Sequence, residues 1–419
     1  MNTIAKTTQT ITIQDIEVEA RNWLVSVGTA GAIGRAQFTV SKAMLKAAGV
    51  DLLSLSEASE TPEVYIKVRP SDGNEEIIFG GVYDNHDIDH DNDTTVINAL
   101  DWAARLVTEK RVLTDINYRN KTPSDIATEI AEKFGFTPKV EPTPGGVKAG
   151  LIFNRDAVFS SEPQPIWNVL LLLARDLAFE VRITPNKELI FAPVDPEEEP
   201  LVLHYKPKPG NDDVIPVRGL HTHHSPRRNK TFQVQVLSFR PNKAQVTKAQ
   251  AVALGTEQVK TSGPTTVVGN TIISSISNNS IPSGVYWGAA GAGVKNQLSS
   301  SLQGKPVYTF RIPGLTPEQA QLKAASIAKE IAKRELVVTG VVAGRLDVTP
   351  QRPIVIEESE PDELQGYAGK SLAILKVEHS FSMNMPGEYK GRGFQTKFTA
   401  LALPLGGTSD VAKALANWL

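Results

Sequence analysis

The sequence predicts a β-dominated α+β protein built from several domains. Three observations carry this: period-two alternation of apolar residues near both ends, helical patterns confined to a middle stretch and one late segment, and a length of 419 residues. That length exceeds one ordinary core and suggests about three or four compact units.

Hydrophobic residues at 41% and charged residues at 21%, with a formal net charge of -2, place the chain among folded globular proteins. There is no basic excess of the kind that neutralises phosphates, which argues against tight electrostatic attachment to nucleic acid or an acidic membrane. The absence of cysteine excludes disulfides, thiolate metal sites and cysteine nucleophiles, and fits either a reducing cytosol or a particle that survives outside it. The N-terminal MNTIAKTTQTITIQ is polar, and the longest apolar run, Val169 to Ala174, is far shorter than a membrane span, so neither a signal peptide nor stable membrane insertion is expected.

Residues 1–12 read as a flexible arm and 13–110 as a first β domain. Ile13, Ile16, Val18 and Ala20 begin an alternation, and Val64, Ile66 and Val68 alternate with Tyr65, Lys67 and Arg69. The stretch Glu76 to Asp93 continues as strand, with Gly80-Gly81 permitting a bulge or bend. Thr94 or Thr95 is then expected to cap a helix carrying Val96, Ala99, Leu100, Ala103 and Leu106.

A small α/β insert is expected over 111–198. Thr122-Pro123 supplies an N-cap and a first-turn proline, Ile126, Ile130 and Phe134 recur at helical spacing, and Gly135 ends the helix. A second helix, Ile166 to Leu177, has Trp167, Leu170, Leu171 and Ala174 on its buried side and leads into a hairpin about Pro185-Asn186.

A second β domain is expected over 199–403. In TFQVQVLSF, Phe232, Val234 and Val236 alternate with Thr231, Gln233 and Gln235. Residues 251–303, rich in Ser, Thr, Asn and Gly, read as a long polar loop, either an arm laid on a neighbouring subunit or a mobile loop. A helix over 316–334 follows, with a capping box at Thr316 and Gln319, Pro317 in its first turn, and an apolar stripe of Ala320, Ala324, Ile327 and Ile331. Strands are expected at Val337 to Val342, Ile354 to Ile356, Ala373 to Phe381 and Phe394 to Leu403, and residues 404–419 as a linker and C-terminal helix.

The order of these pieces resembles the hub proteins of contractile phage baseplates, a group that includes late control protein D and the N-terminal part of type VI secretion spike (VgrG) proteins. The segments that carry it are FGGVYDNHDIDHDNDTTVINALDWAARL, NKTPSDIATEIAEKFGF, PIWNVLLLLARDLAFEVRITPNKELIF, LTPEQAQLKAASIAKE and KVEHSFSMNMPGEYKGRGFQTKFTALAL. The likeness covers residues 14–404. Ala178 stands where such proteins tend to carry glycine, and the 251–303 segment is longer than the pattern.

The resemblance implies two tube-forming β-barrel domains per chain with small α/β inserts, assembled as a homotrimeric ring. That ring would adapt a six-fold tail tube to a three-fold central spike and let DNA pass as cargo. The partners implied are the tail tube, central spike, tape-measure and baseplate wedge proteins. The location implied is the virion, in its tail baseplate, with assembly in the host cytoplasm. Other readings are a type VI secretion-like spike hub, a tail-borne cell-wall hydrolase and a carbohydrate-binding fibre domain, the last opposed by 6% aromatic content.

No catalytic residue and no cofactor or metal is expected. Gly369-Lys370-Ser371 ends like a phosphate loop, but Leu364 replaces the required glycine, and Gly288 and Gly293 are followed by Val294. Asp87, Asp89, Asp91 and Asp93 resemble a calcium loop, yet its sixth and twelfth positions are Asn92 and Asn98. On a strand all four acids would share one face, either simply solvated or lining a ring lumen. His221, His223 and His224, with His204 as a possible third ligand, form the one metal-like group, read mainly as surface histidines. His379, on a face with Leu375, Val377 and Phe381, reads as a core histidine. Val411, Leu415, Trp418 and Leu419 share a face of a helix too short to stand alone, which docks on its own core, on the spike or on a neighbouring subunit.

Overall fold

The computed structural model describes residues 8–28, 31–58, 60–69, 74–111, 118–143, 148–149, 163–177, 179–193, 199–208, 214–224, 232–240, 245–254, 259–260, 280–281, 284–287, 306–312, 336–360, 371–385 and 391–402, with a few positions between 315 and 331 and between 363 and 369. The first unit opens with β1 (Thr8–Ile13), β2 (Ile16–Val18), β3 (Asn22–Gly28) and β4 (Arg35–Ser41). Ser41 caps α1 (Lys42–Ala48) and Asp51 caps α2 (Leu52–Glu57), each side chain accepting a first-turn N–H. Then come β5 (Glu63–Arg69), β6 (Glu76–Asp89), β7 (Thr94–Asp101) and α3 (Ala103–Thr108).

The helix expected from Thr94 to Leu106 is corrected. Thr95, Ile97 and Ala99 are buried while Thr94, Val96, Asn98 and Leu100 are half-exposed, a period of two. β7 pairs with β6 on one side and β4 on the other, so sheet pairing on both edges overrides the local helical pattern. Gly80-Gly81 is not itself the bulge. The register shifts flank it, between Ile66 and Lys67 against β6, and between Tyr83 and Asn85.

The middle of the chain contributes β8 (Lys110–Arg111), α4 (Pro123–Lys133), β9 (Thr137–Val140), β10 (Gln164–Pro165), α5 (Ile166–Leu177), β11 (Phe179–Ile183) and β12 (Glu188–Pro193). Thr122 and Asp125 complete a capping box at the start of α4, and Gly135 with φ 72° lies just past its end. Trp167, Leu170 and Ala174 of α5 are buried against α3 and the sheet β11-β12-β9.

β13 (Leu201–Tyr205) and β14 (Ile215–His224) precede β15 (Phe232–Arg240), β16 (Gln245–Leu254), β17 (Val259–Lys260), β18 (Ser280–Ile281), β19 (Gly284–Trp287) and β20 (Val307–Arg311). β15, β16, β19 and β20 form their own sheet, against which the helical positions Ala320 and Ala324 pack on Phe232, Val234 and Val236. The loop expected over 251–303 is therefore corrected at 251–254, which complete β16, and at β17, β18 and β19. Its other residues, and Thr316 to Gln319, lie outside the described residues.

The chain closes with β21 (Leu336–Ala343), β22 (Pro353–Glu358), β23 (Ser371–Met385) and β24 (Gly391–Ala402). Among these, β22-β13-β14-β21-β24-β23 pair in succession and β23 returns to β22, so the ladder closes on itself. Its interior is filled by Leu203, Val217, Val338, Ile354, Ile374, Val377 and Phe398. A ring this small holds side chains and leaves no channel.

β23 ties the two β units together. Along one edge it pairs with β24; along the other, Ser371 to Ala373 pair with β22, and Lys376 to Ser382 pair with β3. The changeover falls at a register shift between Ile374 and Lys376. The intervening Leu375 is thrown outward to 36% exposure, so it does not share the buried face of Val377 and His379 as the plain alternation implies. The first unit runs β3-β4-β7-β6-β5-β1-β2 and ends at β2.

A second tie joins the first sheet to the α/β insert. Trp102 is fully buried, its Nε1 donating to Pro185 O at 3.0 Å, with Lys187 Nζ 4.6 Å and Arg105 Cζ 4.9 Å from its ring centroid. Glu63 accepts from Lys187 Nζ at 2.8 Å, Arg105 Nη2 at 2.8 Å and Tyr65 Oη at 2.8 Å. Burial alone would raise the Glu63 carboxyl, but these hydrogen bonds hold it below its ordinary value.

Gly80 makes the approach possible, since a Cβ there would stand 2.3 Å from Pro185 O and 2.8 Å from Trp102 Nε1. Gly80→Ala is expected to cost about 2–3 kcal/mol through overpacking at this contact, read as a lower denaturant midpoint. An unchanged midpoint would contradict the packing described.

Candidate assembly surface

Because β3, β23 and β24 pair across the seam, the outward positions of β4, β3, β23 and β24, with those of β6 and β7 beyond Val82 and Leu100, which the insert covers, form one sheet face spanning both β units. A row of it can be followed by register: Asn85 opposite Asn98, then Gln37, Leu24, Ser380 and Gln395. The amides bond one another, Gln37 Nε2 donating to Asn98 Oδ1 at 3.1 Å and Asn98 Nδ2 to Asn85 Oδ1 at 2.7 Å. The adjoining row runs Asp87, Val96, Thr39, Asn22 and Ser382.

Charges on this face balance. Arg35, Lys376 and Lys397 stand against Asp87, Asp89 and Glu378. The Lys376 hydrogen bond at 2.7 Å, outweighing partial burial and joined by Lys397 Nζ at 3.7 Å, keeps the Glu378 carboxyl below its ordinary value. None of these outward positions is aromatic, so the face offers no stacking platform for sugars or bases. The amide row went unrecognised in the sequence. Its signal was the alternation Arg35, Gln37, Thr39 against Ala36, Phe38, Val40, in a strand too short and too mixed to stand out.

The four acids are not collinear. β6 ends at Asp89, so Asp87 and Asp89 lie on the outward face, while Asp91 and Asp93 sit in the following turn. There Asp89 Oδ1 accepts from the N–H groups of Asp91 and Asn92, each at 3.0 Å, and Asp93 takes φ 51°. Turn chemistry overrides the spacing of two.

His221, His223 and His224 are on β14. His204 faces Pro216 across the β13–β14 ladder, five residues short of His221 and so about 16 Å from it along the strand; its Nδ1 is 3.7 Å from Glu357 Oε2. The structure therefore does not bring His204 to the cluster. Gly369, at φ 70°, belongs to the turn entering β23. Val411, Leu415, Trp418 and Leu419 lie outside the described residues.

His379 is buried at the seam, opposite Thr396 on β24 and Val25 on β3. Thr396 Oγ1 donates to Arg345 O at 3.1 Å, so it accepts from Arg345 N–H at 3.1 Å and from His379 Nδ1 at 3.0 Å. Burial pushes the imidazole down to about 4.

No protein-family model matches the sequence, and no curated protein matches it. Solved structures match the fold along nearly the whole chain. The tail protein from Neisseria meningitidis MC58 superposes with a TM-score of 0.60 at 12% identity, over 94% of this chain and 96% of that one. The 43 kDa tail protein of prophage MuSo2 from Shewanella oneidensis gives 0.53 at 12% identity, over 94% and 97%. A chain of the half-lidded Francisella PdpA-VgrG complex gives 0.47 at 11% identity, over 96% of this chain and 59% of that one.

Because the folded imidazole titrates at about 4 and the unfolded one near 6.5, His379 contributes stability that is complete above pH 6.5 and lost as pH falls toward 4. Between pH 7.5 and 4.5 the wild-type chain is expected to lose roughly 2–3 kcal/mol more unfolding free energy than His379→Gln. Identical pH profiles in denaturant titrations would contradict a neutral buried imidazole.

Proposed function

We propose that this chain is the structural hub of a phage tail baseplate, three copies closing a ring between a six-fold tail tube and a three-fold central spike, with DNA passing through. The observation that carries the reading is the join at β23: one strand shared by a closed ladder and a second sheet, in a fold that superposes on two phage tail proteins from end to end. Such a join sets two sheet modules side by side in each chain, and in this proposal they are the two positions that three chains multiply to six.

The packed interior of the closed ladder supports placing the channel between copies, because Phe398 and its neighbours leave no passage within one chain. The outward sheet face then lines the lumen. Its balanced charges and neutral amides suit the passage of a polyanion without adhesion, and Asp87 and Asp89 contribute negative charge there. Asp91 and Asp93 extend from the hairpin tip at the rim. Subunits meet head to tail with a closing rotation. The spike is taken up by the C-terminal segment through Val411, Leu415, Trp418 and Leu419. No enzymatic step is assigned, and the tape-measure and wedge proteins are the remaining partners of the reading.

Native mass spectrometry of the full chain is expected to return three times the 45.4 kDa chain mass. A monomer alone at micromolar concentration, and no ring with a central opening in micrographs, would overturn the hub reading. Removing residues 408–419 is expected to leave the trimer intact and to weaken spike attachment at least tenfold in a pull-down. Unaltered attachment would remove that role from the segment.

A further inference from the structure

The chain has 7 histidines, and five are accounted for by position or partner. His86 bonds Tyr83, His90 Nδ1 lies 3.1 Å from Lys42 Nζ, His204 lies beside Glu357, His379 is buried on Thr396, and His224 points to the opposite side of β14 from its neighbour His223. His221 and His223 remain. Both are exposed, and neither enters a hydrogen bond or ion pair among the described residues.

A bulge puts them on one face. Arg218 pairs with Val341 and His221 with Thr339, so Gly219 and Leu220 together oppose Gly340. Gly219 takes φ 54°, the left-handed conformation that a bulge of this kind demands and that glycine adopts without strain. The extra residue shifts the alternation by one. Thr339 and Val337, the partners of His221 and His223, belong to the outward side, while Val338 and Leu336 face the core. Without the bulge both imidazoles would be directed inward.

The same strand end is open on its other side. β13 pairs with β14 only through Val217, so residues 221–224 project beyond it as a lip bonded to β21 alone among the described residues. Alternate residues of a strand lie about 6.7 Å apart on the same face. Two imidazoles rooted at that spacing can lean together onto a single ion at the usual metal–nitrogen distance of about 2.0–2.1 Å.

We propose that His221 and His223 form a two-imidazole chelate for a borderline divalent transition ion, with Cu²⁺ held above Ni²⁺ and Zn²⁺. The ordering follows from nitrogen donors and the general affinity series of first-row ions, and it excludes Ca²⁺ and Mg²⁺, which need oxygen ligands. Among the described residues no third His, Asp or Glu stands with the pair to complete a closed metal centre. Water fills the remaining positions in a single chain, leaving the ion open to a ligand from outside.

The test is titration of the full-length chain with Cu²⁺ by calorimetry, with electron paramagnetic resonance to count coordinating nitrogens. One ion per chain at micromolar affinity, with superhyperfine structure from two nitrogens, is expected. His221→Asn and His223→Asn should each weaken binding at least tenfold, while His224→Asn leaves it within twofold and Mg²⁺ does not compete. Unfolding curves of the His221 and His223 variants should match the wild type, as these two side chains are exposed. Equal Cu²⁺ binding by wild type and the first two variants, greater damage from His224→Asn, or no binding at all would each overturn the assignment.

Discussion

Continuity of hydrogen bonding through one long strand is the constraint on which this architecture depends. β23 satisfies the backbone groups of β24 along one edge and of β22 and then β3 along the other. Each pairing removes an exposed edge that would otherwise recruit other chains. Because the handover occurs at a bulge, the strand bends as it leaves the closed ladder, and the outward Leu375 is the residue displaced by that bend. A strand fixed on both sides cannot slip by one residue without turning Val377, His379 and Phe381 from the core to water.

That strand also determines where polarity can reside. Its inward side supplies Val377 to one core and contacts Trp23 through Phe381 in the other, with ring centroids 6.2 Å apart. His379 is the polar exception, tolerated because Thr396 Oγ1 accepts a hydrogen bond from its Nδ1–H and because it stays neutral at ordinary pH. The outward side continues the amide and hydroxyl rows of β3, β4 and β7. One outward face, with Leu24 as an exposed apolar member, therefore crosses from one core to the other.

The α/β insert is held by a different mechanism. Its hairpin places Pro185 and Lys187 against Trp102, and Glu63 gathers the cations that flank the indole. Ion pairs that remain about one-third exposed contribute modestly on their own, roughly 1 kcal/mol or less each. The buried indole and the glycine contact at Gly80 do more, since they exclude water and permit one fit. The insert is thus docked by side-chain packing, and no sheet ladder connects it to the first unit among the described residues.

Local chemistry alone determined the elements whose signals are short-range. The Thr122 cap, Pro123 and Gly135 define α4, the apolar run of α5 defines its burial, and the alternations at Val64 to Val68 and at the closing strands define β5, β21 and β24. What the tertiary structure decided were matters of pairing between distant segments. Thr94 to Asp101 carries an ambiguous pattern that two neighbouring strands resolve as sheet, and Asp87 to Asp93 alternates in sequence yet turns at Asp89 because its carboxylate caps a hairpin. Likewise the parity of His221 and His223 rests on a bulge opposite Gly340, and the union of two β units rests on β3 meeting β23 some 350 residues away along the chain. Side-chain period is a local property, whereas which edge a strand offers to which partner is a global one, and only the folded chain expresses it.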